Sequence, residues 1–222
     1  MEITAGTRAT VTAGRPSQGR SLRRAGGACV IGATVLAVSG VLTQVAAAST
    51  DVSPQAWSYP WSMQASMWIS LVWGVAQSLL VAGVLGLRRS GAAGPTRPAS
   101  VGLWLAMAGT ALIILGHLGS IPTAGQNLDD TGAQLVGGVF ALGTVVSAVG
   151  LLLAGIAVVR TRQWHGWRRF TTLAAGAWTL ALLGLQLTAA LPSAVAVYAV
   201  CFAGIGAAVA GSPTPRTPPR RA

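Results

Sequence analysis

Few side chains in this sequence can do chemistry, and they are far apart. His117 stands seven residues after Thr110 and three before Ser120, spacings that put all three on one face of a helix. Gln44, Gln77 and Gln186 add amide groups in other apolar stretches. Gathered at the outer half of a membrane bundle, Gln44, Gln77, Thr110, His117, Ser120 and Gln186 would line a small outward-facing polar pocket, with Asp129 and Asp130 at its mouth. An ionisable group inside a membrane is a functional candidate by default, and His117 is the one here. The plainer reading of the same residues is a set of hydrogen bonds that tie helices together.

Other combinations lead to less. Met63 and Met67 are four apart on one helical face, and thioether sulfur suits Cu(I). Two methionines in an apolar helix are more simply packing, so no metal site is expected. Cys29 and Cys201 form no CxxC pair and read as small apolar fillers. Trp57, Tyr59 and Trp61 lie together in "AWSYPWSM" and read as an aromatic belt at the outer membrane surface rather than a ligand cage. The sequence has no lysine for Schiff-base chemistry, no GxxxxGK[ST] phosphate loop, no HExxH and no serine nucleophile elbow. Neither a catalytic centre nor a cofactor is expected.

The stretch "TRQWHGWRRF", residues 161–170, places His165 between Trp164 and Trp167 and beside Arg168 and Arg169. A titratable histidine tuned by cations and a nucleic-acid clamp are both conceivable. Trp164, Trp167, Arg168 and Arg169 are better read as interface anchors, because indole rings favour the headgroup layer and arginines attract anionic lipid.

Those residues must be positioned by elements that suit lipid. Of 222 residues, 52% are hydrophobic and only 9% are charged, against about 25% charged in ordinary soluble domains. Such a chain cannot cover a water-facing surface. Its net charge of +11 would by itself suggest nucleic acid, but the basic residues sit in short clusters between long uncharged runs. The bilayer and its anionic headgroups are the expected partners, with an unidentified protein partner open and nucleic acid not expected.

A membrane-spanning helix needs about 20 apolar residues. Residues 25–48, 64–87, 101–121 and 134–159 each satisfy this, while 171–211 is twice too long for one crossing. Pro192 in "AALPSA" divides it into 171–190 and 192–211. The expectation is therefore an all-α, polytopic membrane protein with six transmembrane helices in residues 25–211. A disordered arginine-rich cytoplasmic tail (1–24) precedes it, and a Pro/Arg-rich cytoplasmic tail (212–222) follows.

The arginines support this count. All 15 basic residues fall in the two tails and in the second and fourth loops, whereas the first and third loops carry Asp51, Asp129 and Asp130. Because cytoplasmic loops retain arginine, both ends should be cytoplasmic. "SLRRAGG" and Ala46-Ala47-Ala48 suggest an export signal and its cleavage site, but the intervening apolar run exceeds a signal h-region of roughly 7–15 residues. An uncleaved first helix is expected.

Packing should rest on small residues. Gly102, Gly109 and Gly116 recur every seven residues in the third helix, and Gly143, Gly150 and Ala157 do so in the fourth, so the two should form a close antiparallel pair. The six-helix plan, "WHGWRRF" before the fifth helix, and the Ala/Gly-rich composition with arginine as sole cation resemble uncharacterised multi-pass proteins of actinobacterial type over residues 25–211. That resemblance supplies no catalytic residues, and the location expected is the cytoplasmic membrane. The function expected is that of a membrane accessory or interaction protein. The alternative is a small-solute transporter or ligand sensor using the pocket around His117.

Overall fold

The computed structural model describes residues 15–212, except 187 and 189. These fold into six helices, α1 (Arg15–Ala47), α2 (Met63–Ser90), α3 (Arg97–Ser120), α4 (Thr131–Thr161), α5 (Arg168–Leu185) and α6 (Leu191–Ala210). The C-terminal tail expected at 212–222 lies outside the described residues apart from Ser212.

Each helix packs on the next in sequence, α6 returns onto α1, and α2 also meets α6 across the middle. The tightest pairs are α3 with α4 and α1 with α6. Leu36, Leu80, Leu151, Phe202 and Ile205 form the core of the ring. The outer surface is apolar as well: Ile31, Trp68, Val101, Leu135, Leu180 and Val200, one from each helix in turn, are all exposed. Helices that are apolar on every side need lipid as their outer solvent. Five of the six, all but α5, are long and apolar enough to cross a bilayer. α5 has 18 residues and opens with Arg168 and Arg169.

Two helix limits depart furthest from those expected. α1 starts at Arg15, not Ala25, so residues 15–24 are helix rather than disordered arm, and residues 1–14 lie outside the described ones. Pro16 fits a first helical turn, where a missing N–H costs nothing. Leu22, two turns on, is fully buried in the core, so this end of the helix is tied down by packing there, not by apolar periodicity. α5 ends at Leu185, before the proline expected to break it. The Thr188 hydroxyl donates to the Leu185 carbonyl at 2.9 Å and accepts from the Ala190 N–H at 3.3 Å, a local turn that competes with helix. Pro192 lies in the first turn of α6 instead.

The charged groups segregate by end. The α2–α3 and α4–α5 connections meet where the Thr161 hydroxyl donates to the Ala92 carbonyl at 2.6 Å, and Arg168 reaches the end of α6 at Gly211. This is the end that bears the described arginines. At the other end the α1–α2 and α3–α4 loops, which carry Asp51, Asp129 and Asp130, clasp each other. The Trp57 N–H donates to the Gln126 carbonyl and the Leu128 N–H to the Gln55 carbonyl, both at 2.8 Å.

Candidate functional site

Close backbone approach sets how the polar residues meet. A Cβ built on Gly109 would lie 2.6 Å from the Gly143 carbonyl oxygen and would overlap the Ser147 nitrogen. One on Gly102 would lie 2.7 Å from the Ala154 nitrogen, one on Gly150 2.6 Å from the Gly102 carbonyl, and one on Gly143 2.9 Å from the Gly109 carbonyl. These glycines put the α3 and α4 backbones in contact. Gly116 instead receives the Phe140 ring, 2.9 Å from where its Cβ would stand, and so brings an aromatic wall to His117.

His117 is buried on α3 between two rings. Trp73 of α2 stands edge-on with centroids 5.6 Å apart, and Phe140 of α4 edge-on at 4.9 Å. Gly74 leaves room beside it, since a Cβ there would meet that of His117 at 3.6 Å. The Trp73 indole N–H is buried with no partner. Thr110 and Ser120 share this buried face, but their hydroxyls bond back to their own helix, at Ala106 (2.8 Å) and Gly116 (2.9 Å).

The three glutamines go to three different helix pairs. Gln44 accepts from the Ser193 hydroxyl at 3.0 Å between α1 and α6. Gln77 accepts from the Tyr198 hydroxyl at 3.3 Å between α2 and α6. Gln186, just past α5, donates to the Thr144 hydroxyl of α4 at 3.3 Å. The six polar residues are thus distributed: Thr110, His117 and Ser120 on one face of α3, and one glutamine at each of three seams.

The four aromatic and basic residues of the α4–α5 connection also part company. Trp164 is 4% exposed and packs in the core cluster, whereas Trp167 is 57% exposed. The Arg168 Nη1 donates to the Gly211 carbonyl at 2.8 Å, and Arg169 lies 4.4 Å over the Phe170 ring. His165 is exposed. At the opposite end, Met63 Sδ sits against Gly125 of the α3–α4 loop. Cys29, which faces Gly83 in the arginine-bearing half, donates its S–H to the Phe202 carbonyl at 3.3 Å.

Sequence reasoning overlooked a second glycine seam. Gly26 and Gly206 let α1 and α6 touch: a Cβ on Gly206 would lie 2.8 Å from the Gly26 carbonyl, and one on Gly40 2.7 Å from that of Pro192. The signal was present, because Gly26, Ala33 and Gly40 repeat the interval seen in α3. The walls of the His117 chamber, Trp73 and Phe140, carried no such sign.

No protein-family model matches the chain, and no curated protein or solved structure is significantly similar to it. Its class therefore follows from the fold: a multi-pass α-helical membrane protein.

Proposed function

We propose that the chain is a non-enzymatic accessory or interaction protein of the cytoplasmic membrane, with six crossings and both ends inside. The observation that carries this is the use of the intramembrane amides. Gln44, Gln77 and Gln186 each join two elements, so they knit the bundle rather than line a shared passage. A sixth crossing is supported by α5 running antiparallel to both neighbours. A Cβ on Gly155 of α4 would lie 2.6 Å from Leu173, one on Gly176 of α5 2.7 Å from Leu152, and the Trp178 indole donates to the Ala194 carbonyl of α6 at 2.8 Å. The arginine-bearing end is assigned to the cytoplasm by the positive-inside rule.

One observation favours the transporter or sensor reading. The Trp73 indole, its buried N–H without a partner, stands beside His117 in the outer half of the bundle, where a small polar solute would satisfy it. An uptake screen in proteoliposomes, comparing wild type with His117→Ala and Gln77→Ala, separates the two. The accessory reading expects no protein-dependent uptake. Uptake abolished by either substitution sinks it.

A further inference from the structure

The antiparallel contact of α1 and α2 brings three guanidinium groups to one place. A Cβ on Gly86 would meet that of Ala25 at 3.1 Å, and Gly83 faces Cys29, so Arg89 near the end of α2 comes level with Arg20 and Arg24. These three arginines and Ser21 rim a cleft of about 550 Å³ whose floor is Ala25, Ala28 and Ala82. Other arginines at this end are engaged within the protein: Arg88 lies 4.5 Å over the Trp104 ring, and Arg168 is bonded to Gly211. Arg20, Arg24 and Arg89 converge on the cleft.

We propose that this cleft binds a phosphate group, with the headgroup of an anionic phospholipid as its occupant. The proposal rests on the membrane reading above. Guanidinium N–H pairs match phosphate oxygens two at a time, and three positive charges suit an anion with several acceptor oxygens. The described carboxylates, Asp51, Asp129 and Asp130, stand at the other end of the bundle and do not neutralise them. The floor argues for a lipid over a free phosphate ester. Ile31, one turn on from Ala28, and Val75, two turns back from Ala82, are 61% and 57% exposed. They give acyl chains an apolar track on the same faces, and the small side chains of the floor let a headgroup settle in the groove over the two helices.

The test uses the full chain purified in detergent, with bound lipid counted by native mass spectrometry. Phosphatidylglycerol and phosphatidylcholine are titrated separately, and inorganic phosphate and glycerol 3-phosphate serve as free competitors. Phosphatidylglycerol should bind about tenfold or more tightly than phosphatidylcholine. Arg20→Gln, Arg24→Gln and Arg89→Gln should each weaken it about tenfold, the ratio expected for a lost charge-assisted hydrogen bond. Ala82→Phe, which fills the floor without changing charge, should weaken it similarly while melting like wild type. Arg97→Gln, outside the cleft, should change it less than about twofold, as exposed charges contribute little.

Equal losses at Arg97 and in the cleft, or no preference for the anionic lipid, overturn the site. Displacement of lipid by inorganic phosphate at equal or lower concentration keeps the phosphate site and overturns the lipid as its occupant. Flotation of wild type with phosphatidylcholine vesicles scores the membrane reading separately, so a protein that floats but ignores headgroup charge refutes the cleft alone.

Discussion

Gly109 shows how much one missing methyl group decides. With its position occupied by hydrogen, the α3 and α4 backbones touch; any Cβ there meets the Ser147 and Gly143 backbones, which cannot swing aside as a flexible side chain would. Because lipid supplies little drive to hide leucines, such close contacts and interhelical hydrogen bonds hold the helices together. Gly109→Leu should therefore cost about 3 kcal/mol or more and lower the Tm in detergent by roughly 6–12 °C. Gly138→Leu, at a position whose added Cβ would meet nothing within 4 Å, should melt as wild type does. Equal melting of the two variants would mean that the α3–α4 contact does not govern stability.

At the scale of elements, α5 is the helix whose role most depends on its neighbours. Its 18 residues would span roughly 27 Å at 1.5 Å per residue, close to the hydrocarbon thickness of about 30 Å. Two arginines nevertheless open it, and taken alone it lacks the apolarity of the other five. Packing on α4 and α6 is what holds it in the bundle. Single cysteines at Arg162 and Thr188, in a Cys29→Ser, Cys201→Ala background, report the two ends of this helix. A membrane-impermeant maleimide applied to intact cells should label Thr188→Cys and spare Arg162→Cys until the membrane is opened. Labelling of both from outside, or of neither, is incompatible with a crossing by α5.

At the scale of the whole molecule, the six antiparallel helices carry the described arginines at one end and three carboxylates at the other. Cationic loops resist translocation, so in the proposed topology this separation orients the bundle. Adding positive charge to the other end should oppose that orientation. Asp51→Arg, Ser53→Arg and Gln55→Arg together, all at exposed positions in the α1–α2 loop, should yield mixed or failed insertion when reporter fusions at the two ends are read. Uniform wild-type orientation of the triple variant would show that charge does not set the topology.

The six helical stretches were legible in the sequence because the apolar content needed to span lipid is a local property of about 20 residues. The α3–α4 seam was legible for a related reason: small residues at a seven-residue interval mark one face whatever the partner. The start of α1 was not, since Arg15 to Arg24 has no apolar period and, among its described side chains, only Leu22 reaches the core. Nor could composition say that Trp164 would be buried and Trp167 exposed, that Gln77 would meet Tyr198, that Trp73 and Phe140 would enclose His117, or that Arg89 would come level with Arg20 and Arg24. Each of these depends on how far one helix is rotated and slid against another. Rotation and register are decided by packing between segments distant in the chain, and only the tertiary structure contains that information.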